Sequence, residues 1–185
     1  MIKRYITAAL GLIATCYTVW YMHYGVPYKN SGALSKIGLE HYTAFVIWGV
    51  LTYTVLAVGI VLAYRRYTST KAYIPLLALS LAGMVMTLAF PFDYDIKPDY
   101  YLHCTGSLVF SAATGITVFL LFVLCRNEGR VFRVFAIITG MILAADLVLL
   151  LIFKETGLIE ALPIFAGYVM LGFTNMRREK IELTR

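Results

Sequence analysis

The chain alternates long apolar runs with short polar breaks that contain Gly, Pro, Asn and charged residues. A membrane-spanning helix needs about 20 mainly apolar residues to cross roughly 30 Å of hydrocarbon. Six runs fit this requirement and predict transmembrane helices at residues 5–22, 41–64, 73–92, 103–125, 131–153 and 158–176. We therefore expect an all-α, polytopic membrane helix bundle that forms a single domain over residues 1–185.

The composition points to the same class of protein. Hydrophobic residues make up 61% of the chain and charged residues 14%, whereas a soluble domain is typically about 45–50% apolar and about 25% charged. This difference excludes a soluble enzyme fold. The three cysteines, Cys16, Cys104 and Cys125, form no CxxC pair, so neither a disulfide framework nor a zinc ribbon is expected.

The basic residues divide unequally between the two sides of the predicted bundle. Four of the 16 Lys and Arg residues lie in the loops opposite the termini, namely Lys29, Lys36, Lys97 and Lys154. The other twelve lie on the side of the termini: Lys3, Arg4, Arg65, Arg66, Lys71, Arg126, Arg130, Arg133, Arg177, Arg178, Lys180 and Arg185. Because basic residues are retained in the cytoplasm, both termini of this multi-pass protein of the cell membrane are predicted to be cytoplasmic. Anionic membrane lipids then account for the net charge of +6, and no nucleic-acid partner is predicted.

The fourth predicted span carries a stripe of polar side chains: Asp99, His103, Ser107, Ser111 and Thr114. Residues three or four positions apart share one face of a helix. Such a face can simply pack against a neighbouring helix, with its hydroxyl groups bonded to their own backbone. Alternatively, it can line a site in which His103 acts.

Asp99 has two alternative roles beside His103. It follows Pro98, where its carboxylate can cap the helix N-terminus and complement the helix dipole. It can also accept a ring N–H of His103 and so orient that ring for acid–base catalysis or metal binding. The sequence alone does not separate the two roles.

Two further acidic residues lie inside predicted spans. Asp146 stands in an apolar run, where an ionised Asp costs roughly 2.5–3.5 kcal/mol and usually faces the bundle interior. It is either a functional group or a structural hydrogen-bond partner of another helix. Glu160 lies in the first turn of the last span, where the helix dipole favours it, and it can also contribute to a site on the outer side of the membrane.

These groups give three sets of candidate residues on the outer side. The candidate catalytic residues are Asp99, His103 and Asp146. The candidate ligand-binding residues are His41, Ser107, Asp93 and Glu160. The candidate ligands of a divalent metal such as zinc, which imidazole and carboxylate groups suit, are His41, His103 and Asp99. No compact motif such as HExxH supports a metal, so the cofactor is left open.

Three hypotheses of function follow. In the first, the outer site binds a lipid, another amphiphile or a metal ion, and as an enzyme the protein would be a metal-assisted hydrolase. In the second, the protein is a small proton-coupled transporter that uses Asp146. In the third, it is a non-catalytic subunit or sensor that packs on a membrane-protein partner through small residues, namely Gly49, Gly59, Gly83, Gly106 and Gly115. The residues favour the first hypothesis as a binding site and leave enzymatic activity open.

The segment Phe90-Pro91-Phe92-Asp93 is followed by a short acidic loop and by His103 at the start of the next span. This arrangement resembles a bacterial membrane protein family of unknown function, whose members have six predicted spans. They carry an F-P-x-D segment after the third span and a His at the start of the fourth. The resemblance implies the same topology and draws attention to Asp93 and His103, but it implies no established activity.

Overall fold

The computed structural model of the chain is a bundle of long helices joined by short connections. The structure describes residues 2–153 and 155–177, without the side chains of residues 2–4. The helices in these ranges are α1 (Ile2–Met22), α2 (Leu34–Glu40), α3 (Tyr42–Tyr67), α4 (Tyr73–Ala89), α5 (Lys97–Leu124), α6 (Arg130–Phe153) and α7 (Gly157–Met176). The same residues contain no β-strand, so the predicted all-α fold is confirmed.

Within the described ranges, five helices are long and apolar enough to cross a membrane, namely α1, α3, α5, α6 and α7. The chain is therefore a membrane-embedded helix bundle. The apolar helix α4 has 17 residues, or about 26 Å at 1.5 Å per residue, slightly less than the ~30 Å of a bilayer core. It ends at Ala89, before the predicted boundary, because Pro91 favours an extended conformation at Phe90.

Helix α5 begins at Lys97, six residues earlier than the predicted fourth span. Pro98 stands in its first turn, where the fixed φ of proline suits a helix and its missing N–H is not needed. The N-cap residue is Ile96, and no side chain caps this helix. The prediction that Asp99 is the capping residue is therefore wrong, because the helix starts before it.

Helix α2 lies in the connection between α1 and α3, which the sequence analysis treated as a loop. It has seven residues, too few to cross a membrane. Leu34 and Ile37, one turn apart on this helix, are both buried. The connection therefore folds back onto the bundle, and we call the end that it covers the capped end.

Hydrogen bonds to backbone carbonyls join this connection to the beginning of α7. Leu158 N donates to Pro27 O at 3.0 Å, and Asn30 Nδ2 donates to Glu155 O at 2.8 Å. Gly157 lies so close to the connection that a Cβ there would be 2.5 Å from a backbone oxygen. The capped end of α7 is thus held by polar contacts as well as by apolar packing.

The opposite end of the bundle, which we call the basic end, carries arginines that face helix C-termini. Arg66 donates to the carbonyl oxygen of Asn175 at 2.9 Å and also to that of Arg177. These bonds satisfy carbonyl groups that the last turn of α7 leaves without helical partners. Four of the basic residues counted above, Lys154, Arg178, Lys180 and Arg185, lie outside the described residues.

Helix α3 is central, because it packs against α1, α2, α4, α5 and α7. The closest helix pair is α4 with α5. A Cβ on Gly83 would lie 2.5 Å from Phe110 N, and one on Gly106 would lie 2.7 Å from Thr87 N. Only glycine lets the two backbones approach this closely.

The five glycines proposed above as a partner surface all face other parts of this chain. Gly83 and Gly106 meet each other's helices, and the side chains nearest to the other three belong to Leu88 for Gly49, Thr7 for Gly59 and Leu143 for Gly115. In this bundle, these small residues serve packing within the chain.

Helix α6 is the least buried of the long helices. Phe132 and Thr139 are its only buried residues, and both lie in the half nearer the basic end. Its second half, residues 140–153, has no buried side chain, and Leu151 is 76% exposed. The half of α6 nearer the capped end therefore packs only loosely on the rest of the bundle.

Candidate functional site

A cavity of about 390 Å³ lies among α3, α4, α5, α6 and α7. Helices α5 and α7 each pack on α3 and on α6, and the cavity occupies the space that this arrangement leaves. It is more than twice as large as the roughly 150 Å³ engineered cavity that binds benzene. Its size falls within the range of about 300–1,000 Å³ that is typical of small-molecule sites.

The cavity wall is apolar along most of its length, with polar groups that increase toward the capped end. Its apolar side chains include Leu56, Met84, Phe110, Val118, Leu143 and Met170. Its polar and ionisable side chains include His103, Cys104, Ser107, Ser111, Thr114, Asp146, Glu155 and Glu160. An elongated apolar space with polar groups at one end has the form of an amphiphile site.

The polar stripe of α5 lines this cavity from His103 to Thr114. The hydroxyl groups of Ser80 and Thr114 are 2.6 Å apart and bond to each other. The hydroxyl groups of Ser107 and Ser111 make no hydrogen bond to any described residue, whereas Thr87 and Thr117 bond to carbonyls of their own helices. The two serines are therefore free to bond a ligand.

His103 is 1% exposed and is held by the segment that follows α4. Its Nδ1 lies 2.8 Å from Phe90 O, and because a carbonyl can only accept, Nδ1 is the donor. The ring also contacts Phe92 edge-on at 5.1 Å between centroids. The backbone carbonyls of Phe90 and Thr87 both lie beside the ring, but Nε2 is buried without a hydrogen-bond partner among the described residues.

This arrangement corrects the predicted pairing of His103 with Asp99. The donor nitrogen of the ring bonds to the Phe90 carbonyl, and no hydrogen bond joins the ring to Asp99. Asp99 is also absent from the cavity wall. The group that orients His103 is thus a backbone carbonyl of the F-P-x-D segment, which physically links the two parts of the motif noted in the sequence.

Glu160 has a structural role that accounts for its buried carboxylate. Its Oε2 accepts from Leu34 N at 2.5 Å, and its Oε1 accepts from Ser35 Oγ at 3.2 Å. Leu34 begins α2, where backbone N–H groups have no helical partners. Glu160 therefore caps α2 from another helix while its side chain lines the cavity.

Asp146 and Glu155 are the two less constrained carboxylates of the wall. Asp146 is partly buried and makes no hydrogen bond or ion pair with any described residue. Burial raises the pKa of the Glu155 carboxyl above its ordinary value, and the positive charge of Lys36 acts in the opposite direction. Both carboxylates can accept hydrogen bonds from a ligand.

The proposed metal ligands are not assembled. His41 is the C-cap residue of α2, and its ring lies 4.1 Å, centroid to centroid, from that of Tyr24. It does not line the cavity. Residues 2–153 and 155–177 contain no group of three or more His, Cys, Asp or Glu side chains arranged to hold a metal ion. The structure therefore does not bring His41, His103 and Asp99 together as a metal centre among the described residues.

Among the other predicted residues, Ser107, Asp146 and Glu160 line the cavity with His103, whereas Asp93 does not. Asp93 accepts from Asp95 N at 2.9 Å in a local turn. The cavity lining also includes Ser35, Trp48 and Glu155, which the sequence pattern does not predict. Glu155 was recognisable as an acid near a span end, but the apolar pattern of α3 gives no signal that singles out Trp48.

No family model, curated protein or solved structure matches this chain. The candidate site therefore rests on its own geometry, and the resemblance to a six-span bacterial family stays a prediction.

Proposed function

We propose that this protein binds an amphiphile with a single apolar chain in the cavity bounded by α3, α4, α5, α6 and α7. The observation that carries the proposal is the cavity itself, which is large, mainly apolar and polar toward the capped end. Its lining residues on α5 extend from His103 to Val118, a distance of about 22 Å at 1.5 Å per residue. An extended chain fits such a space better than a compact solute does.

Helix α6 provides a route of entry from the bilayer. Because residues 140–153 have no buried side chain, separating this half of α6 from the bundle costs little packing energy. Its inner side includes the lining residues Leu143, Asp146 and Leu147. A chain dissolved in the membrane would therefore enter sideways, past α6.

We further propose that α4 completes a six-span topology with both termini in the cytoplasm. The excess of Lys and Arg at the basic end supports this orientation. The capped end and the polar part of the cavity then lie in the outer leaflet. Two variants of a cysteine-free protein test this orientation, one with a single cysteine in place of Tyr28 and the other with a single cysteine in place of Asn127. A membrane-impermeant thiol reagent applied to intact cells is expected to label the Tyr28→Cys variant alone.

The binding proposal is tested by filling the cavity. Ser107→Trp places a large side chain in the lining, whereas Thr105→Trp makes a similar change on an exposed position of the same helix that does not line it. Native mass spectrometry of the purified protein, incubated with decanol as a neutral probe, measures the bound fraction. Binding in wild type and Thr105→Trp and its loss in Ser107→Trp are expected.

Ala166→Phe fills the cavity from α7 and gives an independent check. Circular dichroism and a single elution peak establish that each variant is folded. Equal decanol binding by wild type and by both folded filling variants would contradict the proposal.

A second candidate function, a proton-coupled carrier, is favoured by one observation. Asp146 has no partner among the described residues and lies in the loosely held wall of the cavity, where a carboxyl group can exchange a proton as α6 moves. Proteoliposomes that contain wild type would then move the bound amphiphile in response to a pH gradient, and Asp146→Asn would bind it without responding.

A further inference from the structure

The acidic side chains that line the cavity can accept hydrogen bonds but, when ionised, cannot donate them. Asp146, Glu155 and Glu160 contribute carboxylates, and no Lys or Arg of residues 2–153 and 155–177 is among the lining residues. The Glu160 carboxylate is engaged with α2, whereas that of Asp146 has no partner among the described residues. A carboxylate in an apolar region is costly unless it is protonated or paired with a cation.

Two buried side chains add to this pattern independently of the acids. His103 donates through Nδ1 to Phe90 O, so the neutral ring presents Nε2 as an acceptor, and this atom has no partner among the described residues. Trp48 is 6% exposed and lines the same cavity. Phe92 also lines the cavity, and aromatic rings such as these two attract ammonium groups.

Because carboxylates, an unpartnered histidine nitrogen and aromatic rings line the cavity, and no Lys or Arg of the described residues does, we propose that the head group of its ligand is a cationic hydrogen-bond donor. The ligand class is an alkylamine in its ammonium form. This inference rests on the proposed function and restricts the class of ligand. A cavity that binds an apolar chain could otherwise bind a neutral, an anionic or a cationic amphiphile. An anionic head group would be repelled by these carboxylates, and Lys36, the described cation that acts on Glu155, does not itself line the cavity.

The two tryptophans of the chain provide a direct readout of the preference. Trp48 is buried at the cavity, whereas Trp20 is 49% exposed. In a Trp20→Phe variant in nanodiscs, quenching of Trp48 by ω-brominated decylamine, decanol and decanoate measures occupancy by the three head groups. The same probes on Trp48→Phe, through Trp20, measure partition into the lipid and correct for it.

The expected result is that the amine quenches Trp48 at a concentration about tenfold lower than the alcohol does, after correction for partition, and that the carboxylate is weakest. Asp146→Asn and Glu155→Gln together should remove the advantage of the amine over the alcohol. Asp99→Asn is the matched control, because Asp99 is an acid near the same end of the bundle that does not line the cavity.

The outcomes separate this inference from the proposed function. Equal quenching by all three probes, or an amine preference that survives Asp146→Asn with Glu155→Gln, overturns the choice of head group and leaves chain binding intact. If, for every probe, Trp48 is quenched no more than partition of the probe into the lipid accounts for, both proposals are overturned.

Discussion

Gly83→Ala tests the close crossing of α4 and α5, the two helices that bring Phe90 to His103. The added Cβ would lie 2.5 Å from Phe110 N and 2.7 Å from Gly106 O. Both are backbone atoms, so no side-chain rotation relieves the contact. To restore an ordinary separation of 3.4 Å, the helices must move apart by about 0.9 Å, and overpacking of this kind costs about 1–3 kcal/mol.

Gly172→Ala is the matched control, because its Cβ would meet Ala8 Cα at 3.4 Å, an ordinary contact. Both changes gain the same helix propensity, about 1 kcal/mol, so the difference between them isolates the steric cost. We expect Gly83→Ala to unfold with a free energy about 1–3 kcal/mol lower than that of Gly172→Ala. The two free energies of unfolding can be measured by circular dichroism in mixed micelles that contain increasing amounts of denaturing detergent. Equal free energies for the two variants would refute the packing argument.

Three other predictions concern single polar contacts. Glu160→Ala removes both acceptors of the α2 cap and should destabilise the protein by about 2–3 kcal/mol, and Glu160→Gln should have an intermediate effect. Loss of the cap should make amide hydrogen exchange at Leu34 faster, and unchanged exchange would rule out the cap. Because burial raises the pKa of Glu155, the folded state binds its proton more tightly, so stability should fall as pH rises through and above the ordinary value of 4.5. Glu155→Gln should reduce that fall relative to wild type, and an identical pH profile would exclude the effect. Asn175→Ala should cost about 0.5–1.5 kcal/mol, because it removes the 3.0 Å hydrogen bond that Asn175 Nδ2 donates to the Gly59 carbonyl. Thermal unfolding measures this loss, and an unchanged stability would contradict it.

The apolar runs predict most of the helices well, since burial in lipid requires length and apolarity, which the sequence shows directly. α2 was missed because its seven residues are far below membrane length and gain stability from Glu160, which is distant in sequence. The start of α5 was misplaced because its first turn is polar. Pro98, a typical first-turn residue, was the available signal for an earlier start.

The candidate site was less predictable because its contacts join distant backbone and side-chain atoms. Helical spacing on α5 correctly groups His103, Ser107 and Thr114 on one face, and the structure places that face on the cavity. The same spacing suggests Asp99 as the partner of His103, whereas the observed partner is the Phe90 carbonyl. A backbone acceptor is present at every residue, so no residue type reveals it in advance.

Photolabelling tests the central claim, that an apolar chain occupies the cavity, most directly. Decylamine with a diazirine at the end of its chain would be irradiated with the protein in nanodiscs, and the labelled residues would be located by peptide mass spectrometry. Labelling of the cavity residues Ser111, Leu143 and Met170, suppressed by excess unlabelled decylamine, is the predicted result. Labelling confined to exposed apolar residues such as Leu12 and Val169, unaffected by competitor, would contradict the account.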